Sequence, residues 1–150
     1  MKKENRKHLP AENLSPFQLA ELHKLCSPGE SYSEQSMRDF LNNDKYLIFS
    51  NKSSLAITHM FQEIAEIITL AVNPLHRKSG LGSKLLKEII KIAKTRNCTK
   101  IFLEVSSQNF VAIRLYKNAG FKTIYVRKNY YTFANKTLSD AFVMALKISN

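Results

Sequence analysis

The sequence predicts a mixed α/β (α+β) domain, a mixed sheet flanked by helices. Three observations lead there. First, "KYLIFSNKSSLAITHMFQEIAEIITLAV" carries apolar and β-branched runs joined by the short polar turns "SNKS" and "FQE", which is hairpin patterning. Second, the period changes after Asn73-Pro74: Leu81, Leu85, Leu86, Ile89, Ile90 and Ala93 recur at helical spacing. Third, strand patterns return in "KIFLEV", "FKTIYV" and "DAFVMALKI". Strands interleaved with helices, yet also adjacent as hairpins, imply a mixed sheet rather than a doubly wound parallel one. At 150 residues, with no internal repeat or linker, the chain reads as a single domain over residues 1–150.

The elements follow in order. In "NLSP", Ser15 can cap a helix and Pro16 suits its first turn, with Phe17, Leu19, Leu22 and Leu25 as its apolar positions. "SPGE" breaks that helix. A short second helix is expected near residues 33–41, burying Met37, Phe40 and Leu41. The helix beginning near Leu81 sets Lys84, Lys87, Lys91 and Lys94 opposite its apolar stripe, and "TRNCT" ends it. A further helix is expected at residues 109–118, stopped by Gly120. "RKNYYTFANKTLS", between the last two strands, reads as a substantial loop.

Composition narrows the function. The basic opening "MKKENRKHLP" leads into no apolar run, so no signal peptide is expected. The stretch around residues 64–72 is too short to span a bilayer, and no membrane partner is expected. Cys26 and Cys98 form no pairing pattern, which fits reduced thiols in a cytoplasmic protein. His8, His23, His59 and His76 show no metal-ligand spacing, so no metal is expected. The net charge is +11. Between Pro74 and Tyr130 there are 13 Lys and Arg against Glu88 and Glu104; the remainder is balanced. Such a segment is either a solvated basic face or a surface that meets polyanions, a phosphorylated cofactor or RNA.

The junction "VNPLHRKSGLGSKLL" runs from a strand through Gly80 and Gly82 into a helix. Unpaired N–H groups at a helix start carry partial positive charge, and glycines let a phosphate approach them. Arg77 and Lys78 add charge beside them. The loop lacks the Lys-Ser/Thr ending of a nucleotide P-loop and the three-glycine dinucleotide fingerprint. It therefore points to a pyrophosphate held outside either usual nucleotide fold.

"RKSGLG" resembles the Arg/Gln-x-x-Gly-x-Gly/Ala loop of the GNAT superfamily of N-acetyltransferases, which grips the pyrophosphate of acetyl-CoA. "NFVAIRLYKNAGF" resembles the superfamily's second signature, in the expected order and spacing. Within the superfamily, "FLEVSSQN" and "RKNYY" are most similar to the bacterial ribosomal-protein-alanine N-acetyltransferases. The resemblance covers residues 41–148 well and the N-terminal third loosely. It implies a twisted, mostly antiparallel sheet and an acyltransferase using acetyl-CoA. Its acceptor would be the N-terminal α-amine of a protein, an alanine-starting ribosomal protein; a weak RNA contact is an expectation from the charge of the basic segment alone. The alternatives are a lysine or small-amine acetyltransferase and a non-catalytic module binding CoA or RNA. Tyr32 in "SYSE" stands where that family often has Trp, and Thr132 follows "NYY" where it often has Pro; both fall where the acceptor would bind.

The resemblance also assigns residues. Arg77, Lys78, Ser79, Gly80, Leu81, Gly82 and Ser83 would hold the pyrophosphate, the backbone of Leu70, Ala71 and Val72 the pantetheine, and Asn109 the same arm. Glu104 in "IFLEV" is, on strand alternation alone, a carboxylate facing water; by resemblance it is the proton acceptor. An α-amine has a pKa of roughly 8 against roughly 10.4 for lysine, so a modest base suffices at a chain terminus. Glu66 is its rival. Tyr116 matches the general acid: a phenol of pKa about 10 can protonate a departing thiolate whose thiol pKa is about 8.5. Asn109, Ala112 and Tyr116, spaced i, i+3, i+7, would share one helix face. "NYY" (Asn129, Tyr130, Tyr131) would wall the peptide groove. No basic partner adjoins Cys98 in sequence, which favours direct transfer over an acetyl-thiol relay.

Overall fold

The structure is a computed structural model and describes residues 13–149. The basic opening segment lies outside them. Six strands, β1 (Tyr46–Asn51), β2 (Ser54–Phe61), β3 (Ile64–Val72), β4 (Lys100–Ser106), β5 (Lys122–Thr132) and β6 (Leu138–Lys147), form one sheet in the order β1-β2-β3-β4-β6-β5. Every neighbouring pair is antiparallel except β3–β4. A parallel neighbour needs a crossover, and α3 (Leu81–Thr95) supplies it. The other helices are α1 (Pro16–Cys26), α2 (Glu34–Asn42) and α4 (Phe110–Asn118). Among the described residues, no helix is long and apolar enough to cross a membrane.

Each side of the sheet has its own core. Leu47, Phe49, Ala56 and Met60 join Leu85, Leu86 and Ile89 of α3 and Ile113 of α4. Ile48, Leu55 and Ile57 join Leu19, Leu22 and Met37 of α1 and α2. Because β1 and β2 are covered on both faces, they read as near-continuous apolar runs rather than an alternation.

The helices start where the sequence marks them. Ser15 and Gln18 form a reciprocal capping box on α1, with Pro16 in its first turn. The buried face of α1 is Leu19, Ala20, Leu22, His23 and Cys26, while Phe17 and Leu25 are exposed. At 3.6 residues per turn those two positions lie well off the inward stripe, so not every apolar position expected on this helix is a core position. In α2 only Met37 is fully buried; Phe40 and Leu41 are half-buried. In α3 the lysine stripe is exposed opposite Leu85, Leu86, Ile89 and Ala93, as the spacing predicts.

The loop expected between the last two strands is also corrected. Most of "RKNYYTFANKTLS" is strand: β5 continues to Thr132 and turns only at residues 133–137. Its register breaks between Arg127 and Tyr131, where Asn129 takes φ 51°. Asp140 on β6 pins that irregularity, accepting from the Asn129 N–H at 3.0 Å and pairing with Lys128 at 3.2 Å. A polar, bulged edge strand shows no apolar alternation, so it reads as loop.

The feature that makes room for a site is a split in the sheet. β3 and β4 pair only from Ile64 to Ile67 against Lys100 to Leu103. Beyond that, β3 stays with β2 as far as Val72 and β4 with β6 as far as Ser106. A bulge lies at the parting: Ile57 faces Thr69 and Thr58 faces Ile67, leaving Ile68 as the extra residue on β3.

Candidate active site

Two clefts meet along β3. The first, about 400 Å³, is lined by Leu70, Ala71 and Val72 of β3, the loop into α3, Asn109, Ala112 and Leu115 of or beside α4, and Cys26 and Ser27. Arg77, Lys78, Gly80, Leu81, Gly82 and Ser83 all face it. Gly80, at φ 82°, is the N-cap of α3 and offers no side-chain cap. The first intrahelical bond is Lys84 N–H to Gly80 C=O, 3.0 Å. The amides of Leu81, Gly82 and Ser83 precede it, so the helix itself leaves them without a partner. A Cβ at Gly82 would stand 3.4 Å from Leu115 Cδ2 and 3.6 Å from Leu70 Cδ2. These are ordinary van der Waals distances, so packing against β3 and α4 does not itself require the glycine.

Three residues assigned to this cleft bond to the protein itself. Arg77 donates from Nε to Val72 C=O (3.2 Å) and from Nη2 to Cys26 C=O (3.1 Å), tying the end of β3 to the end of α1. Ser79 donates its hydroxyl to His76 C=O and is not among the lining residues. Asn109 lines the cleft while its Oδ1 caps α4, accepting from Ala112 N–H at 3.2 Å.

The second cleft, about 350 Å³, contains Glu104, Glu66, Glu30, Tyr32, Tyr130, Tyr131 and His23, floored by Ile67, Ile68 and Thr69. Glu104 is therefore not simply a strand carboxylate facing water. Its side chain is 27% exposed, and Oε1 lies 2.9 Å from Nε of Arg127, which is 48% exposed. Glu66 sits on the same sheet face, since it registers with Phe102, two residues before Glu104. Burial, then the charges of Glu30 and Glu104, push the Tyr131 phenol up to about 12. Burial, then Glu30, also pushes Tyr32 up. Both phenols are thus held as hydrogen-bond donors beside a cluster of carboxylates.

Tyr116 is placed differently. It is 6% exposed, packs with Phe121 at 5.7 Å between ring centroids, and lines neither cleft. Burial pushes its phenol up to about 12. Asn109 and Ala112 meet the first cleft, and Tyr116, further along α4, lies in the core beneath. Cys98 is a buried thiol whose pKa burial raises, and it belongs to the α3 core rather than to either cleft. His23 is a cleft residue that the motifs do not mark. Its one signal in the sequence is a histidine at helical spacing among Leu19, Leu22 and Cys26.

Residues 18–121 match the model of the acetyltransferase (GNAT) family. The chain belongs to this family. The match includes α1 and α2, where the sequence resemblance is loose. Among relatives, the [ribosomal protein bS18]-alanine N-acetyltransferase of Salmonella typhimurium is 38% identical over 65% of this chain and 65% of its own length. The enzyme of the same name from Escherichia coli K12 is 34% identical over 76% of this chain and 81% of its own. A crystal structure of the ribosomal-protein-S18-alanine N-acetyltransferase from Escherichia coli superposes with a TM-score of 0.81 at 28% identity, covering 90% of this chain and 88% of that one.

GNAT acetyltransferases use acetyl-CoA, and the first cleft suits it. The uncapped α3 amides and Lys78 match a pyrophosphate, and the β3 edge beyond Ile67, which no β4 residue pairs, matches an amide-bearing arm. Continuing along β3 from Val72 to Ile67 leads from this cleft to the carboxylates of the second. An acetyl donor in one cleft and an amine in the other would meet where the sheet splits.

Proposed function

We propose that this GNAT protein acetylates the N-terminal α-amine of a protein, an alanine-starting ribosomal protein, in the cytoplasm. The observation that carries the reading is Glu104 in a tyrosine-walled cleft next to the β3 stretch shared with the cofactor cleft. The relatives' names support the choice of acceptor.

The chain's own groups divide the work. Backbone amides of Leu81 to Ser83 and the charge of Lys78 bind phosphate, with Arg77 and Ser79 shaping the loop through their bonds to protein carbonyls. Leu70, Ala71 and Val72 hold the pantetheine by their backbone, and Asn109 borders it. At neutral pH most α-amine is ammonium, which Glu30, Glu66 and Glu104 attract. Glu104 takes the proton that makes it nucleophilic. The resemblance gives Tyr116 the protonation of the departing thiolate; burial keeps its phenol protonated, but its ring lies in the core beneath the first cleft, so this role requires the hydroxyl to reach the cleft past Asn109 and Ala112.

A peptide array tests the acceptor. Ala-starting peptides with a free α-amine should be acetylated at least tenfold faster than N-terminally blocked peptides containing lysine, because the higher lysine pKa leaves far less neutral amine. Equal rates would favour the lysine reading. A second reading concerns RNA. Lys84, Lys87, Lys91 and Lys94 form an exposed stripe on α3, with no ion pair to them among the described residues. Like charges at these spacings cost the helix stability, which a polyanionic neighbour would offset. Binding to RNA should weaken steeply with salt and fall on Lys87→Ala/Lys91→Ala; no binding even at low salt removes this reading and leaves the acetyltransferase untouched.

A further inference from the structure

One buried polar side chain in the acceptor cleft has no part in the chemistry above. His23 is 1% exposed, yet both of its ring nitrogens are engaged. The backbone N–H of Tyr32 donates to Nδ1 at 3.3 Å, so Nδ1 carries no hydrogen. The proton of the neutral ring therefore sits on Nε2, which lies 3.0 Å from Thr69 Oγ1 and donates to it. The imidazole also packs on the Tyr32 ring, centroids 5.1 Å apart.

These bonds join two walls. Tyr32 and Glu30 belong to the connection between α1 and α2, with no regular structure to fix them. Thr69 follows the bulge at Ile68 and immediately precedes the stretch that lines the cofactor cleft. We infer that His23 is a positioning residue for the acceptor: it locks the α1–α2 connection against β3 and so sets the width of the cleft that receives the amine. The inference rests on the reading of this cleft as the acceptor site. The charged and titratable groups around it are Glu30 and Tyr32 on the connection, Glu66 on β3, Glu104 on β4, and Tyr130 and Tyr131 on β5. The ring nitrogens bond to none of those side chains, only to Tyr32 N–H and Thr69. A charged ring would turn an N–H at Nδ1 against the Tyr32 N–H, and burial also disfavours it.

Two variants test this in the full-length enzyme. Thr69→Val exchanges a hydroxyl for a methyl and removes only the Nε2 partner; His23→Gln removes the ring acceptor at Nδ1, while its side-chain N–H can still donate to Thr69. Each should raise the acceptor KM by about threefold to tenfold, the worth of one hydrogen bond. Neither should change kcat, or the rise in Tm that acetyl-CoA produces, by as much as twofold. If His23→Gln does not fold, Thr69→Val carries the test alone. Imidazole ¹⁵N spectra at pH 6 should show a neutral Nε2–H ring for the signal that disappears in His23→Gln, or, without that variant, shifts in Thr69→Val. A cationic or Nδ1–H ring would overturn the inference. So would an unchanged acceptor KM, or variants that lose kcat and acetyl-CoA binding together. A wild-type enzyme inert towards every α-amine peptide would instead sink the acceptor reading and, with it, the role given to His23.

Discussion

Glu104→Gln is expected to lower turnover by roughly 10²- to 10⁴-fold, the usual share of general acid–base catalysis. Glutamine keeps the shape and can still accept from Arg127, but it cannot take a proton. The Glu104–Arg127 pair spans 2.9 Å between partly exposed side chains, so its loss should cost little stability. Acetyl-CoA should bind as before, because Glu104 lines the other cleft. Part of the turnover should return as the pH rises past about 8, where the α-amine is already neutral. Tyr116→Phe should also cut turnover, without that recovery, because it fails at thiolate departure. A phenol with a pKa of about 12 stays protonated through the working range. The wild-type profile should therefore show no descending limb from Tyr116 below pH 11. The two losses should combine less than additively if both groups serve one transition state. Near-wild-type turnover of Glu104→Gln at pH 7 would leave Glu104 as a partner of Arg127 and move the search for a base to Glu66.

Gly82→Asp should abolish the rise in Tm that saturating acetyl-CoA gives the wild type. At 100-fold over Kd that stabilisation is about 2.7 kcal/mol. The apo protein should keep its own Tm. Gly82 has ordinary helical backbone, and a Cβ there meets Leu115, Leu70 and Val72 at 3.4 to 3.8 Å, which is van der Waals contact. A carboxylate in the first turn of α3 even suits the helix dipole. The same carboxylate stands against the incoming phosphates and competes for the amides of Leu81 to Ser83. A ligand-induced shift equal to that of the wild type would place the pyrophosphate elsewhere.

Several parts of this protein are legible in the amino-acid sequence alone. The α3 helix, its lysine stripe and the glycine loop ahead of it are written in spacing, because helical period and backbone permissiveness are local properties. The loop and the segment of α4 stand out through two signatures in the right order, and Glu104 through the likeness of "FLEVSSQN" to one branch of the family. Other parts depend on tertiary structure. The parting of β3 from β4 beyond Ile67 is a matter of register between segments about 35 residues apart, and no local pattern encodes where a ladder stops. The far half of β5 is hidden because the polar "RKN" run and the register break there interrupt the apolar, β-branched pattern that "FKTIYV" shows. Arg77 is visible as a cation beside the glycines, but not as a tie between Val72 and Cys26. His23 is visible only as a histidine on an apolar face; its partner Thr69 is 46 residues away. Periodicity, capping and charge act over a few residues and can be read along the chain. The second cleft is assembled from α1, the α1–α2 connection, β3, β4 and β5, so its width and contents exist only once those segments are packed together.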